Sequence, residues 1–289
     1  MATEQHIRNP IEWGWHQLKG AGHAVGSTAH AVEGAEAKNA PLAVRKISVA
    51  DLREVLAKGL ADFGAYRTDV IFICVIYPLV GVLIAYLAFG YDLVPMIFPL
   101  GAGFALLGPV AAVGLYEMSR RREQGHVVSW IDAFHVMRSP SFGAVLVLGL
   151  LLLGIFLLWQ GAAYGIYAAT LGPNPPTSLG GFVSDVFTTG AGWTMIVAGM
   201  AAGFVFALSV LMIGAISFPL LLDRDVGLLA AVMTSVRAFR VNPLPMSAWG
   251  LIVAAGLVLG TIPALIGLVI VIPVLGHATW HLYRKLVPR

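Results

Sequence analysis

Between Val70 and Tyr283 the chain falls into long apolar runs, several of eighteen residues or more, and none of these runs contains a lysine or arginine. Runs of that length are the signature of membrane spans. In hydrocarbon every backbone N–H and C=O must find its partner within the protein, so only helices and closed barrels cross. The runs are continuous rather than alternating, which selects helices. Composition agrees: charged residues make up 11% of the chain, where a soluble domain carries about 25%. Mean hydropathy is +0.83.

The expected fold is all-α, a polytopic membrane helical bundle of six transmembrane helices in three helical hairpins, each preceded by a cytoplasmic amphipathic helix. The spans are expected near 70–89, 94–118, 142–169, 192–222, 246–261 and 264–283. The run from Met246 to Tyr283 is too long for one ordinary crossing, and Gly260–Pro263 (GTIP) supplies a turn within it. Two domains are expected, a cytoplasmic N-terminal arm over 1–46 and a membrane domain over 47–289.

Orientation follows from where the basic residues stand. Eight precede the first span: Arg8, Lys19, Lys38, Arg45, Lys46, Arg53, Lys58 and Arg67. Arg120, Arg121, Arg122 and Arg138 lie between spans 2 and 3, and Arg224, Arg237 and Arg240 between spans 4 and 5. Arg284, Lys285 and Arg289 follow span 6, which accounts for all 18. The opposite side carries only Asp92 and Asp185. Both termini are therefore expected in the cytoplasm, and the isoelectric point near 9.1 reflects topology, not nucleic-acid binding. The first thirty residues contain charge and several histidines without an apolar core, so no signal peptide is expected there.

Internal echoes reinforce the hairpin pattern. Gly125–Arg138 (GHVVSWIDAFHVMR) aligns with Gly227–Arg240 (GLLAAVMTSVRAFR) at an offset of 102 residues. Apolar residues at helical spacing make each an expected amphipathic helix. Ser48–Arg67 is a third, with Ser48 as N-cap and Asp51 in its first turn. Pro109–Arg121 echoes Pro273–Lys285 at an offset of 164. An Arg closes each amphipathic segment (Arg67, Arg138, Arg240), and Pro140 and Pro243 then bend the chain into the bilayer.

Three phrases carry a resemblance to a known family. They are Gly90–Gly125 (GYDLVPMIFPLGAGFALLGPVAAVGLYEMSRRREQG), Phe218–Gly227 (FPLLLDRDVG) and Pro273–Lys285 (PVLGHATWHLYRK). The chain resembles, over roughly Ile47 to Val287, an uncharacterised bacterial family of integral membrane proteins, domain of unknown function 2189. The resemblance implies a bacterial inner-membrane protein and brings no activity, cofactor or catalytic residue.

Candidate residues are few. Glu117, at the inner end of span 2, is either an intramembrane carboxylate with a role or a partner of Arg120 or Arg121 at helical spacing. His277 and His281 share one face of span 6; that spacing suits a metal or haem, but no carboxylate accompanies them within the spans. Arg67, Arg138 and Arg240 either snorkel to anionic headgroups or converge on an anion. His16, His23 and His30 recur every seven residues beside Trp13 and Trp15, as in a partner-docking arm. Asp223, Arg224 and Asp225 form either a local ion pair or a gate against Arg122 or Arg138. Gly161/Gly165, Gly199/Gly203 and Gly256/Gly260 are spaced for close helix packing.

The lone Cys74 excludes a disulfide framework and Cys-based metal or haem attachment. Walker A, HExxH and G-x-S-x-G motifs are absent. The expectation is therefore a non-catalytic inner-membrane scaffold or accessory subunit with no cofactor and no metal. Its partners would be anionic lipid headgroups and, through the arm, subunits of a larger complex. The alternative is a transporter or channel for a small, anionic solute, suggested by the repeats and the Pro-broken spans.

Overall fold

The computed structural model describes residues 40–65, 71, 74–75, 78–83, 86, 93–174, 176 and 178–288. Trp13, Trp15, His16, His23, His30 and Arg67, with much of the first expected span, lie outside these residues. Among the described residues every regular element is helical. The first is α1 (Asp51–Ala65). A 3₁₀ turn (Val94–Met96) leads into α2 (Ile97–Leu106), and a single turn (Gly108–Ala111) leads into α3 (Val113–Glu123). After a 3₁₀ segment (Trp130–Arg138) come α4 (Phe142–Thr170), α5 (Leu179–Thr188) and α6 (Gly190–Gly214). The chain ends with α7 (Ser217–Asp223), α8 (Leu228–Val241), α9 (Pro243–Thr261) and α10 (Leu268–Leu286).

Among the described residues, three stretches are long and apolar enough to cross a membrane: α4, the joined run Gly190–Asp223, and α9. At 1.5 Å per residue, the 29 residues of α4 extend about 43 Å, beyond a hydrocarbon core of about 30 Å. Leu157 and Leu158 on α4, and Val197, Met200 and Phe204 on α6, turn outward, as lipid-facing side chains do. Exposed Tyr164 and Trp193, near the end of α4 and the start of α6, suit the aromatic belt of one membrane surface.

The second expected span, near 94–118, is not one helix. It breaks at Leu107 and Ala112, which carry ψ angles of −1° and −3° instead of helical values. Pro109 begins the short turn between them, because its ring clashes with a preceding helical carbonyl and it brings no N–H. The 192–222 run is divided likewise. Pro219 cannot donate to Ala215, and the chain hitches at Ala215–Ile216, where the Ile216 N–H turns to Ser235 Oγ at 3.2 Å. The last helix starts at Leu268 rather than 264. Residues 262–267 form the turn, with Ala264 and Leu265 in the left-handed region (φ 49° and 69°).

The segment expected as an amphipathic α-helix before α4 is also different. Gly125 (φ 82°) ends α3 in a Schellman motif: His126 N–H reaches Arg121 O at 3.1 Å and Gly125 N–H reaches Arg122 O at 2.9 Å. Residues 126–129 have no regular structure, with Ser129 extended, and Trp130–Arg138 is 3₁₀. Ser129 and Asp132 form a capping box at its start, with Ser129 N–H 2.8 Å from Asp132 Oδ2. The segment matched to it at an offset of 102, α8, is a regular α-helix.

The buried core lies at the basic end of the bundle. Tyr116 and Met118 of α3, Phe218, Leu220 and Leu221 of α7, Trp249 of α9, and Trp280, Leu282 and Tyr283 of α10 are all at most 2% exposed. A strap over residues 42–47 crosses this end. Leu42 N–H donates to Thr234 Oγ1 (3.0 Å) and Arg45 N–H to Leu286 O (2.8 Å). Buried Asn242 accepts from Ile47 N–H (2.8 Å) and donates to Arg45 O (2.9 Å). The strap delivers the chain to α1, where the Asp51 carboxylate accepts from the Ser48 N–H at 2.7 Å.

Candidate functional site

Helix α1 buries Leu52, Val55, Gly59 and Asp62, a stripe at spacings of three and four that faces α10. Gly59 permits the approach: a β-carbon there would stand 2.6 Å from Ala278 Cβ and 2.7 Å from the Val274 carbonyl oxygen. The same stripe carries Asp62 into the junction of α1, α3 and α10, where it is 6% exposed.

Three side chains converge on that carboxylate, and a fourth joins through one of them. Oδ1 accepts from Arg122 Nη1 at 2.7 Å. Oδ2 accepts from His281 Nε2 at 2.9 Å and from Ser119 Oγ at 2.5 Å. Ser119 Oγ in turn lies 2.8 Å from Nδ1 of His277, whose side chain is wholly buried. Burial opposes ionisation of Asp62, yet the hydrogen bonds from His281 and Ser119 outweigh it and hold the carboxyl below its ordinary value.

Counting protons assigns the donors. A carboxylate only accepts, so Ser119 and His281 must both donate to it. The single Ser119 hydroxyl proton is then spent on Asp62, and His277 Nδ1–H must donate to Ser119 Oγ. In neutral His277 this leaves Nε2 as a bare lone pair, and that buried atom has no hydrogen-bond partner among the described residues. The Leu115 carbonyl lies beside the ring.

The remaining charges at this end are paired in separate clusters. Glu117, 2% exposed, accepts from Arg120 Nε and Arg121 Nε at 2.7 Å each, so its ionic partners are the helical neighbours. Arg121 also reaches Asp132 Oδ1 at 2.8 Å, tying α3 to the 3₁₀ segment. The Glu117 hydrogen bonds raise the Arg120 guanidinium above its ordinary value. Tyr283 donates to Asp223 at 2.6 Å, and Arg284 bridges Asp223 and Glu123. Arg224 donates to the Pro288 carbonyl. Lys285 joins Asp51 (2.9 Å) and Glu54, clipping the start of α1 to the end of α10. The Ser48 N–H and Lys285 hold Asp51 at about 2, and Lys285 and Lys58 hold Glu54 at about 2.

His277 and His281 thus belong to one cluster, and the carboxylate that joins them comes from α1, outside the spans. Asp62 and Ser119 were not singled out by sequence, and Arg122 was named only as a gate contact for the Asp223–Asp225 cluster. The signal for Asp62 was its place in register with Leu52, Val55 and Gly59; a neutral Ser119 offered none. Arg138 and Arg240 are exposed and form no ion pair among the described residues. Asp223 pairs with α10 instead of Arg122 or Arg138. Gly203 packs on Trp159, Gly256 on Leu275 and Val271, while Gly161 and Gly165 meet no neighbour within 4 Å among the described residues. Among the described residues no three His, Cys, Asp or Glu side chains are placed to hold a metal ion.

Residues 96–223 match the model of a family described as "Predicted integral membrane protein (DUF2189)". The match takes in α2 to α7 and includes Ser119 and Arg122, but neither α1 nor α10. Comparison with curated proteins and with solved structures finds no match.

Proposed function

We propose that this integral membrane protein is a non-catalytic scaffold or accessory subunit of a bacterial inner-membrane complex. It would form six spans with both termini in the cytoplasm. The observation that carries this reading is that Arg120, Arg121, Arg122, Arg284 and Lys285 at the basic end pair with neighbouring carboxylates. They fasten α1, α3, α7 and α10 together instead of lining a passage. Among the described residues, an open groove of about 270 Å³ on the outer side of α2, α4 and α6 is apolar, lined by residues such as Phe98, Trp159, Met200 and Phe204. That lining gives a polar solute nothing to bind.

Exposed Trp130, Ile131, Phe134 and Met137 on the 3₁₀ segment, beside exposed Arg138, supply a membrane-surface contact. Each such Arg is worth about 1 kcal/mol against anionic headgroups. The arm over residues 1–46, with Trp13, Trp15, His16, His23 and His30, would carry the partner contact. The test is quantitative co-purification from native membranes of the full chain and of a chain lacking residues 1–40. A stoichiometric membrane partner that is lost with the arm supports the scaffold. Saturable anion flux in proteoliposomes containing the purified chain alone refutes it and establishes the transporter reading.

A further inference from the structure

The Asp62–Ser119–His277 chain has a feature that holding helices together does not require: the bare Nε2 of a wholly buried imidazole. A buried acceptor without a donor is costly, and a leucine or methionine of similar volume would fill the space without that cost. The unpartnered atom shares a short chain of bonds with a carboxylate and stands beside a backbone carbonyl. These are the parts of a site for one proton.

We propose that Asp62, Ser119 and His277 together bind one exchangeable proton, held on His277 Nε2 and shared along the chain to Asp62. Without it, Ser119 O–H donates to Asp62 Oδ2, His277 Nδ1–H donates to Ser119 Oγ, and Nε2 is bare. When the proton binds, Nε2–H faces the Leu115 carbonyl and the ring becomes cationic opposite the Asp62 carboxylate. The ring also has a neutral arrangement with the same number of protons. Nδ1 gives its proton to Ser119 Oγ as Ser119 gives its own to Asp62 Oδ2. Asp62 is then a neutral acid donating to Ser119, and Ser119 donates to Nδ1. The atoms balance in both forms, and in each the Asp62–Ser119 and Ser119–Nδ1 links of the path are kept.

The geometry supplies the short links this requires, 2.5 Å from Ser119 to Asp62 and 2.8 Å from Ser119 to His277. The charged and titratable groups acting on the ring are Asp62 from α1, Arg122 from α3 and His281 from α10. Arg122 and His281 both bind Asp62, so the carboxylate stays in place whichever form the ring takes. His281, whose side chain is 16% exposed, is the member of the cluster nearest solvent. Because the three groups come from three helices, binding the proton strengthens the α1–α3–α10 junction.

The test is ¹⁵N-histidine and ¹³C-aspartate NMR of the full chain in lipid nanodiscs, titrated from acidic to mildly alkaline pH. His277 should lose its Nε2 proton as pH rises and carry its remaining proton on Nδ1 at the alkaline end, and the Asp62 carboxyl signal should move with the same midpoint. Ser119→Ala should separate the two midpoints by about one pH unit or more, a tenfold difference in proton affinity. Ser119→Thr, which keeps the hydroxyl, should restore the shared midpoint. The wild-type spectrum decides by itself if Ser119→Ala does not fold. A His277 ring with one unchanging tautomer across the range, or one that titrates independently of Asp62, overturns the proposal. So does an unaltered titration in Ser119→Ala.

Discussion

Replacing Gly59 by Ala should loosen α1 from the bundle, although alanine is the better helix former. The added β-carbon would lie 2.6 Å from Ala278 Cβ and 2.7 Å from both Ala278 N and Val274 O, where carbon contacts normally begin near about 3.5 Å. Two of those three obstacles are backbone atoms of α10, so no side-chain rotation relieves the clash. Overpacking of this kind costs about 1–3 kcal/mol. The opposing gain in helix propensity is at most about 1 kcal/mol. Gly64, on the same helix, meets nothing within 4 Å, so Gly64→Ala keeps the gain without the clash. The two single-methyl variants should therefore differ in stability by about 1–3 kcal/mol, with Gly59→Ala the weaker. Thermal unfolding in detergent measures the difference, and tryptic cleavage after Arg53 and Lys58 reports locally on α1. Equal stability and equal protection of the two variants would refute the packing argument.

The buried clamp should respond more strongly than the exposed one. Asp62→Ala leaves Arg122, His281 and Ser119 without their shared acceptor, and should cost about 3–5 kcal/mol in thermal or denaturant unfolding. The bridge from Lys285 to Asp51 and Glu54 should show instead as an acid limb. Both carboxyls are held at about 2, so their contribution is complete above the ordinary carboxylate value of about 4 and is lost as pH falls toward about 2. Lys285→Met should flatten that limb by lowering stability on the neutral-pH plateau, while the two proteins unfold alike near the acid end. Asn242→Ala removes the partner of Ile47 N–H and Arg45 O. It should cost about 1–3 kcal/mol and expose the strap to protease, whereas deleting residues 1–40 should do neither. In a Cys74→Ser background, cysteine at exposed Asn174 should react with impermeant maleimide from outside. At exposed Gln124 it should react only after permeabilisation; the reverse result would invert the topology.

The helices most legible in sequence are those whose partner is the bilayer. For α4 and α9 the apolar run alone specifies the helix, because hydrocarbon asks only for length and apolarity, and the expected 142–169 and 246–261 fall within the observed Phe142–Thr170 and Pro243–Thr261. Elements at the basic end answer to particular neighbours, and there local pattern misled. The spacing of Val128, Ile131, Phe134 and Val136 reads as an α-helix, but the Gly125 stop and the Ser129–Asp132 cap set a tighter winding that no apolar period records. His277 and His281 were visible as a pair. Their meaning was not, because Asp62 lies more than two hundred residues away in sequence and Ser119 carries no charge. A carboxylate in the buried register of an amphipathic helix was the available clue.

The bond from Arg45 to Leu286 carries a consequence for how the chain is made. The strap and α1 are among the first described parts to leave the ribosome, yet what they bind, α8 and the last turns of α10, is among the last. At about 5–20 residues per second, an α1 that is already synthesised waits on the order of ten seconds or more for its surface. Throughout that interval Leu52 and Val55 lack the α10 surface they pack on, although Asp62 can already meet Ser119 and Arg122 of α3, so the apolar side of α1 must rest on the membrane or on a chaperone. Closure of the basic end is thus a late event that cannot be completed until α10 has been made. A ribosome stalled or a message truncated before α10 would release a chain whose spans can insert but whose beginning has nothing to hold. Such a product offers quality-control proteases an undocked amphipathic helix, and its clearance would reveal whether the missing end had been made.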